Sequence, residues 1–221
     1  MTGMEEVGTI NINNVVFVLE VIGTIAFSSS GTMVGIRKKM DIFGVIVMAV
    51  TTAVGGGIIR DIILGCLPPA AFLHPIYVMV AILCSVIMFV MASLKKQFEV
   101  GKMVILYDKL MILLDAIGLG VFTVIGIEKA CETGYKEDVF LVLFVGIVTG
   151  VGGGVLRDIM AQEMPFIFVK HIYACASLSG AVFCILFMPV SKPVAMVGGT
   201  IVVIMVRLFA AKYRWNLPRI K

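Results

Sequence analysis

The sequence predicts an all-α polytopic membrane protein of seven transmembrane helices, built as an inverted three-plus-three repeat with one C-terminal helix added. Three observations predict it. Of the 221 residues 60% are hydrophobic and only 14% charged, against about 25% charged in soluble domains. Apolar runs of spanning length, about 20 residues, recur along the whole chain. The stretch "AVGGGIIRDIILG" (Ala53–Gly65) returns nearly unchanged as "GVGGGVLRDIMAQ" (Gly150–Gln162). A β-barrel is excluded, because the apolar runs are continuous and lack a period of two.

The first span, 14–36, follows an acidic stretch with Glu5 and Glu6 and is long enough to remain a helix, so it reads as a membrane anchor and not as a cleaved leader. It carries Glu20 and the hydroxyls Ser28, Ser29, Ser30 and Thr32. The second, 43–65, holds Thr51, Thr52, Gly55, Gly56, Gly57, Arg60 and Asp61. The third, 76–94, begins after Pro75 and carries no charged residue. The fourth, 110–127, holds Asp115, and the fifth, 139–161, holds Thr149, Gly152, Gly153, Gly154, Arg157 and Asp158. The sixth and seventh, 171–188 and 194–211, carry no Lys, Arg, Asp or Glu except Arg207 at the end of the last, where it can snorkel to the interface.

Charge in the connections sets the orientation. One set of loops and the tail holds Arg37, Lys38, Lys39, Lys95, Lys96, Lys102, Lys109, Lys170, Lys212, Arg214, Arg219 and Lys221; the opposite set holds only Lys129, Lys136 and Lys192. The expected placement is a cell (inner or plasma) membrane, with the N-terminus outside and the C-terminus cytoplasmic. The five cysteines are scattered without metal spacing and read as free thiols or packing residues.

A shift of 97 residues lays Thr52–Ile62 on Thr149–Ile159, and a shift of 95 lays Glu20, Gly23, Phe27 and Gly31 on Asp115, Gly118, Phe122 and Gly126. Each unit is three helices, an odd number, so the second unit enters the membrane from the other side. The expected units are 1–94, 95–189 and the extra helix with its tail, 190–221.

Three consecutive glycines weaken a helix, so the second and fifth spans are expected to be kinked or broken there. Carbonyls near Val54 and Val151 would then be free to coordinate a cation, and freed amides would carry partial positive charge. Close helix packing on small residues is the competing reading. Glu20, Asp61, Asp115 and Asp158 outnumber Arg60 and Arg157 by two, an excess that favours cations. The arginines can brace the acids, gate a path, or do both. The hydroxyls, Ser28, Thr52 and Thr149 among them, either line a wet path or bond back to their own helices. His74 and His171 lie at helix entrances with no metal-ligand spacing around them. No cofactor, nucleic-acid or enzyme signature is present: there is no zinc motif, no Gly-x-Ser-x-Gly, and no strand to support a dinucleotide fingerprint.

The blocks "EVIGTIAFSSSG" and "GGGIIRD", repeated as "DAIGLGVFTVIG" and "GGGVLRD", closely resemble the bacterial and archaeal branch of the TRIC (trimeric intracellular cation) channel superfamily, whose repeat is also labelled a glycine-transporter domain. The resemblance covers almost the whole chain. It implies seven helices in two inverted repeats, a homotrimer in membrane lipid, bends at the glycine motifs, and a permeation path inside each protomer. Some relatives are treated as potassium-permeable channels and others are linked to uptake of glycine. The lysine–glutamate motif of the animal channels is absent. Two functions follow as expectations: a monovalent-cation channel, or a carrier of glycine or another small zwitterion held at the broken helices.

Overall fold

The computed structural model describes residues 12–94, 100–169, 172–213 and 215. His171 and the basic residues Lys95, Lys96, Lys170, Arg214, Arg219 and Lys221 lie outside the described residues. The described chain is helical: α1 Ile12–Arg37, α2 Ile42–Ile63, α3 Ala70–Leu73, α4 Ile76–Leu94, α5 Val100–Ala130, α6 Val139–Met160, α7 Phe166–Val169, α8 Tyr173–Phe187 and α9 Lys192–Tyr213. A π-turn, Cys131–Tyr135, prolongs α5. Among the described residues, six helices are long and apolar enough to cross a membrane. α8 has 15 residues, a rise of about 22 Å against a hydrocarbon core of about 30 Å. The fourth span expected from 110 belongs to a helix that already begins at Val100.

The helix ends repeat as closely as the glycines. Asp41 caps α2 by accepting from the Gly44 amide at 2.7 Å, and Asp138 caps α6 by accepting from the Leu141 amide at 3.0 Å. Each carboxylate satisfies an amide that the first helical turn leaves without a partner. After α2 the chain reverses through Gly65 at φ 71°, and after α6 through Gln162 at φ 55°. At both ends an amide two positions past the helix cap closes on an aspartate carbonyl, Cys66 to Asp61 and Glu163 to Asp158.

α5 lies at the centre, packed against α1, α6, α8 and α9. α4 is peripheral: it buries only Ala81 and Ser85 and exposes Met79, Leu83, Ile87 and Met91. α2 and α6 cross in the interior, where Gly56 faces the Thr149 carbonyl and Gly153 faces the Thr52 carbonyl. A Cβ at either glycine would collide with that oxygen. The helices are antiparallel there, and the two contacts exchange under the same 97-residue shift that relates the sequences. A second exchanging set joins α1 to α5, with Gly23 against Phe122 and Gly118 against Phe27. The rings of Phe27 and Phe122 meet with centroids 5.3 Å apart.

The breaks expected at the glycine triplets are absent. Residues 55–57 and 152–154 lie inside uninterrupted α-helix. The helical bonds survive because another main chain packs against the missing side chains, and that contact offsets the weak helix propensity of glycine. The carbonyls near Val54 and Val151 are therefore spent within the helices.

Gly56→Leu should separate α2 from α6 and destabilise the protein by about 1–3 kcal/mol, the usual penalty for overpacking. Gly57→Ala should be tolerated, because the nearest atom to a Cβ there is an Arg60 nitrogen at 3.8 Å. Thermal unfolding of the two variants in detergent checks the contrast, and equal midpoints would refute the crossing as the reason for the glycines.

Candidate functional site

Two charged centres flank the helix crossing. Arg60 lies six residues beyond Val54 and Arg157 six beyond Val151. Because α2 and α6 run antiparallel, this puts the arginines about 9 Å of helix rise to opposite sides. Within each centre the same local arrangement recurs. Arg60 Nε donates to Asp61 Oδ1 at 2.8 Å, and Asp61 Oδ2 accepts from the Ala70 amide at 2.8 Å. Arg157 Nε donates to Asp158 Oδ1 at 2.9 Å, and Asp158 Oδ2 accepts from the Phe166 amide at 2.9 Å. Each aspartate thus ties its arginine to the short helix that follows, α3 or α7. Gly57 and Gly154 pass beside the guanidinium groups and leave them room.

The centres then diverge. At the first, Tyr77 Oη donates to a carboxylate oxygen of Glu20. No cation among the described residues lies within salt-bridge distance of Glu20. A cavity of about 540 Å³ opens here, lined by Glu20, Arg60, Asp61, His74, Tyr77 and Glu128 among others. A small pocket of about 50 Å³ shares Glu20, Arg60, Asp61 and Tyr77 with it and reaches Thr24, Ala53, Gly57 and Phe122.

At the second centre the side chains close on one another. Arg157 Nη1 donates to Asp115 Oδ1 at 2.8 Å and to Ser30 Oγ at 2.5 Å. Tyr173 Oη donates to Asp115 Oδ1 at 3.4 Å. Arg207, from α9, places Nη2 3.6 Å from Asp115 Oδ2 and its guanidinium 4.6 Å from the centre of the Tyr173 ring. Arg157 and Asp115 are 0% exposed and Arg207 1%. The expectation that Arg207 snorkels is corrected: Asp115 and the Tyr173 ring give the buried guanidinium both a counter-charge and a π-face.

Three of the predicted hydroxyls are satisfied within their own helices. Ser28 bonds to the Ile25 carbonyl, Thr52 to that of Met48 and Thr149 to that of Val145. Gly55 and Gly152 serve helix packing, with Gly55 close to Leu156 and Gly152 close to Gly56. Ser30 is the hydroxyl that reaches a charged group. Glu128, 3% exposed, holds Lys192 at 3.1 Å.

A model of the glycine transporter family matches residues 17–93 and again 112–189. A membrane protein of the UPF0126 group from Vibrio cholerae is 34% identical over 208 residues, 93% of this chain and 82% of that one. The inner membrane protein YadS of Escherichia coli, of the same group, is 34% identical over 206 residues, 92% of this chain and 95% of its own. Among solved structures, a TRIC cation channel is 35% identical with a TM-score of 0.78, covering 93% of this chain and 97% of the other. The TRIC orthologue of Rhodobacter sphaeroides is 29% identical with a TM-score of 0.81, covering 91% and 100%. The chain belongs to the TRIC superfamily, in its glycine-transporter-domain branch. It is a multi-pass membrane protein, like the relatives named membrane proteins and the neighbours described as cation channels.

Sequence reasoning missed the tyrosines of this TRIC chain. A signal existed: Ile76-Tyr77 lies on Ile172-Tyr173 at a shift of 96, between the two shifts already in use. It also missed the link at the closed end, where Arg37 and Lys38 hold Glu163 at 2.7 and 3.0 Å. Burial raises the Glu163 carboxyl, but hydrogen bonds and charge from Lys38 and Arg37 outweigh it and hold the group below its ordinary value.

Arg157→Met should strip Asp115 and Asp158 of a buried counter-charge and cost about 3–5 kcal/mol, whereas Arg60→Met, beside an open cavity, should cost clearly less. Denaturant unfolding in detergent measures both, and equal losses would contradict the difference in burial. The Glu163 link should supply up to about 1 kcal/mol. With the folded carboxyl lowered, that contribution is complete above its ordinary value of 4.5 and is lost as pH falls through the folded value below it. Glu163→Gln should flatten stability against pH in that acid range; a curve identical to that of the unmodified protein would show that the link contributes nothing.

Proposed function

We propose that the chain is a TRIC-type channel for monovalent cations, potassium foremost, working as a homotrimer in membrane lipid with one path inside each protomer. The observation that carries this reading is the cavity headed by Glu20. Its acids are Glu20, Asp61, Glu128 and Glu132. Three have cationic partners: Asp61 has Arg60, Glu128 has Lys192 and Glu132 has Lys129. Glu20 is left as the uncompensated carboxylate. A single negative charge in a partly desolvated cavity attracts a monovalent cation more strongly than it would in bulk water. The solved neighbours named above are TRIC channels, described as cation channels in their own right.

In this reading Glu20 draws the ion in, and Arg60, held by Asp61, narrows the entrance. Thr24 lines the neck, and the Phe27–Phe122 pair occludes it. Beyond the rings, the Asp115–Arg157–Arg207 cluster holds the far end shut. Opening requires Asp115 to exchange an arginine for an ion or water. Gly55, Gly56, Gly152 and Gly153 hold the crossing about which the halves would rearrange.

The seven-span topology belongs to the same proposal, with α7 and α8 together forming the sixth crossing. So do the units 1–94, 95–189 and 190–221, supported by the two family-model matches and the exchanging glycine contacts. The basic bias of the loops puts the N-terminus outside and the Glu20 cavity on the outer face. An inner or plasma membrane location follows the relative that is named an inner membrane protein.

One observation favours a second reading, a carrier for glycine or another small neutral amino acid. Arg60 and Glu20 line the same cavity, which offers both signs of charge to a zwitterion. The two readings separate in one proteoliposome preparation. Potassium flux that does not saturate, with little glycine uptake, is the expected result. Glu20→Gln should lower that flux roughly tenfold, equivalent to about 1.4 kcal/mol on the barrier. Saturable glycine uptake competed by alanine, without potassium current, would replace the channel by the carrier.

A further inference from the structure

The two halves of the molecule contain the same pair of groups in different states. Asp115 with Tyr173 and Glu20 with Tyr77 are related positions, and in each the phenol donates to the carboxylate. In the closed half this pair holds a cation supplied by the protein itself. Arg207 presents its guanidinium to Asp115 at 3.6 Å and to the Tyr173 ring at 4.6 Å. Arg207 comes from α9, the helix outside the repeat, so nothing equivalent exists in the other half. There the carboxylate and the ring line a cavity of about 540 Å³, with Phe17 beside Tyr77 at 6.5 Å between ring centres. Every other acid lining that cavity is already paired with Arg60, Lys129 or Lys192.

We propose that the Glu20–Tyr77 pair is a binding site for a small organic monocation, a guanidinium or primary ammonium group. Arg207 on Asp115 and Tyr173 is the internal example of what such a pair accepts. The chemistry is complementary on both sides. A carboxylate takes charge-assisted N–H bonds, and an aromatic face takes a flat, weakly hydrated cation. The cavity has room for a ligand the size of an arginine head group and is open to the surface. One uncompensated carboxylate matches one positive charge, so a neutral molecule of the same shape should be rejected. The inference stands on this geometry alone and does not require the chain to conduct.

The test is equilibrium binding of radiolabelled methylguanidinium to the full-length purified protein, with N-methylurea as the neutral isostere. The protein should bind methylguanidinium saturably, and N-methylurea should not compete. Glu20→Gln and Tyr77→Leu should each weaken binding at least tenfold, while Tyr77→Phe, which keeps the ring, should stay within a few-fold. Elution profile and thermal midpoint establish which variants are folded. If Glu20→Gln does not fold, the ring variants and the urea comparison still decide. Absence of saturable binding, equal competition by N-methylurea, or undiminished binding in a folded Glu20→Gln or Tyr77→Leu variant would overturn the site. A protein that binds methylguanidinium but carries no potassium flux would refute the channel and not the site. A conducting protein that fails to bind it would refute the site and not the channel.

Discussion

Main chain rests directly on main chain where α2 crosses α6, and the rest of the structure is arranged around that contact. Thr149 and Thr52 each bring a carbonyl to a glycine of the opposite helix, and no side chain fits between them. Helices in lipid gain little from hydrophobic burial against each other, so closeness of fit and van der Waals contact hold them. The crossing also sets where charge can go. Arg60 and Arg157 follow their glycines by the same interval on antiparallel helices, and their charged groups are carried to opposite sides. Phe27 and Phe122, backed by Gly118 and Gly23, fill the space between.

One residue outside the repeat separates the two sides. Arg207 brings a second guanidinium to Asp115, so the buried cluster of Asp115, Asp158, Arg157 and Arg207 is formally neutral. Neutrality is what makes complete burial tolerable, because the desolvation of each ion is answered by a partner at hydrogen-bonding or near-contact distance. Around Glu20 there is no such helix. The carboxylate keeps one phenol donor and a cavity that water can enter. A charge imbalance that could not survive in the closed half is stable in the open one, and a solvated negative group is what a cation-conducting path needs at its mouth.

Much of this was legible in the chain. Hydropathy located the long helices to within a few residues, except that α5 begins ten residues before the expected span, and the doubled Gly-Gly-Gly-x-x-Arg-Asp block marked both charged centres. The Glu20–Asp115 correspondence was readable from the 95-residue shift. The aspartate caps and the left-handed turns at Gly65 and Gln162 then extended the repeat into the loops. Three readings went astray for one reason. The glycines were expected to interrupt their helices, Arg207 to turn outward, and the excess of acids to be two. Each was judged from a residue's own propensity or its place along a helix, while its partner lay far off in sequence. Gly56 meets Thr149, and Asp115 meets Arg207.

The sequence by itself determined the membrane class, the order of the helices and the pairing of one half with the other. Apolar length and local repetition are properties of the chain that any bilayer reads the same way. Only the tertiary structure decided that the glycine segments stay helical, that Arg207 faces inward, and which centre is closed. Those outcomes depend on distances between segments far apart in the chain, where a carbonyl replaces a missing side chain or a guanidinium finds a carboxylate, and no local pattern encodes such a distance.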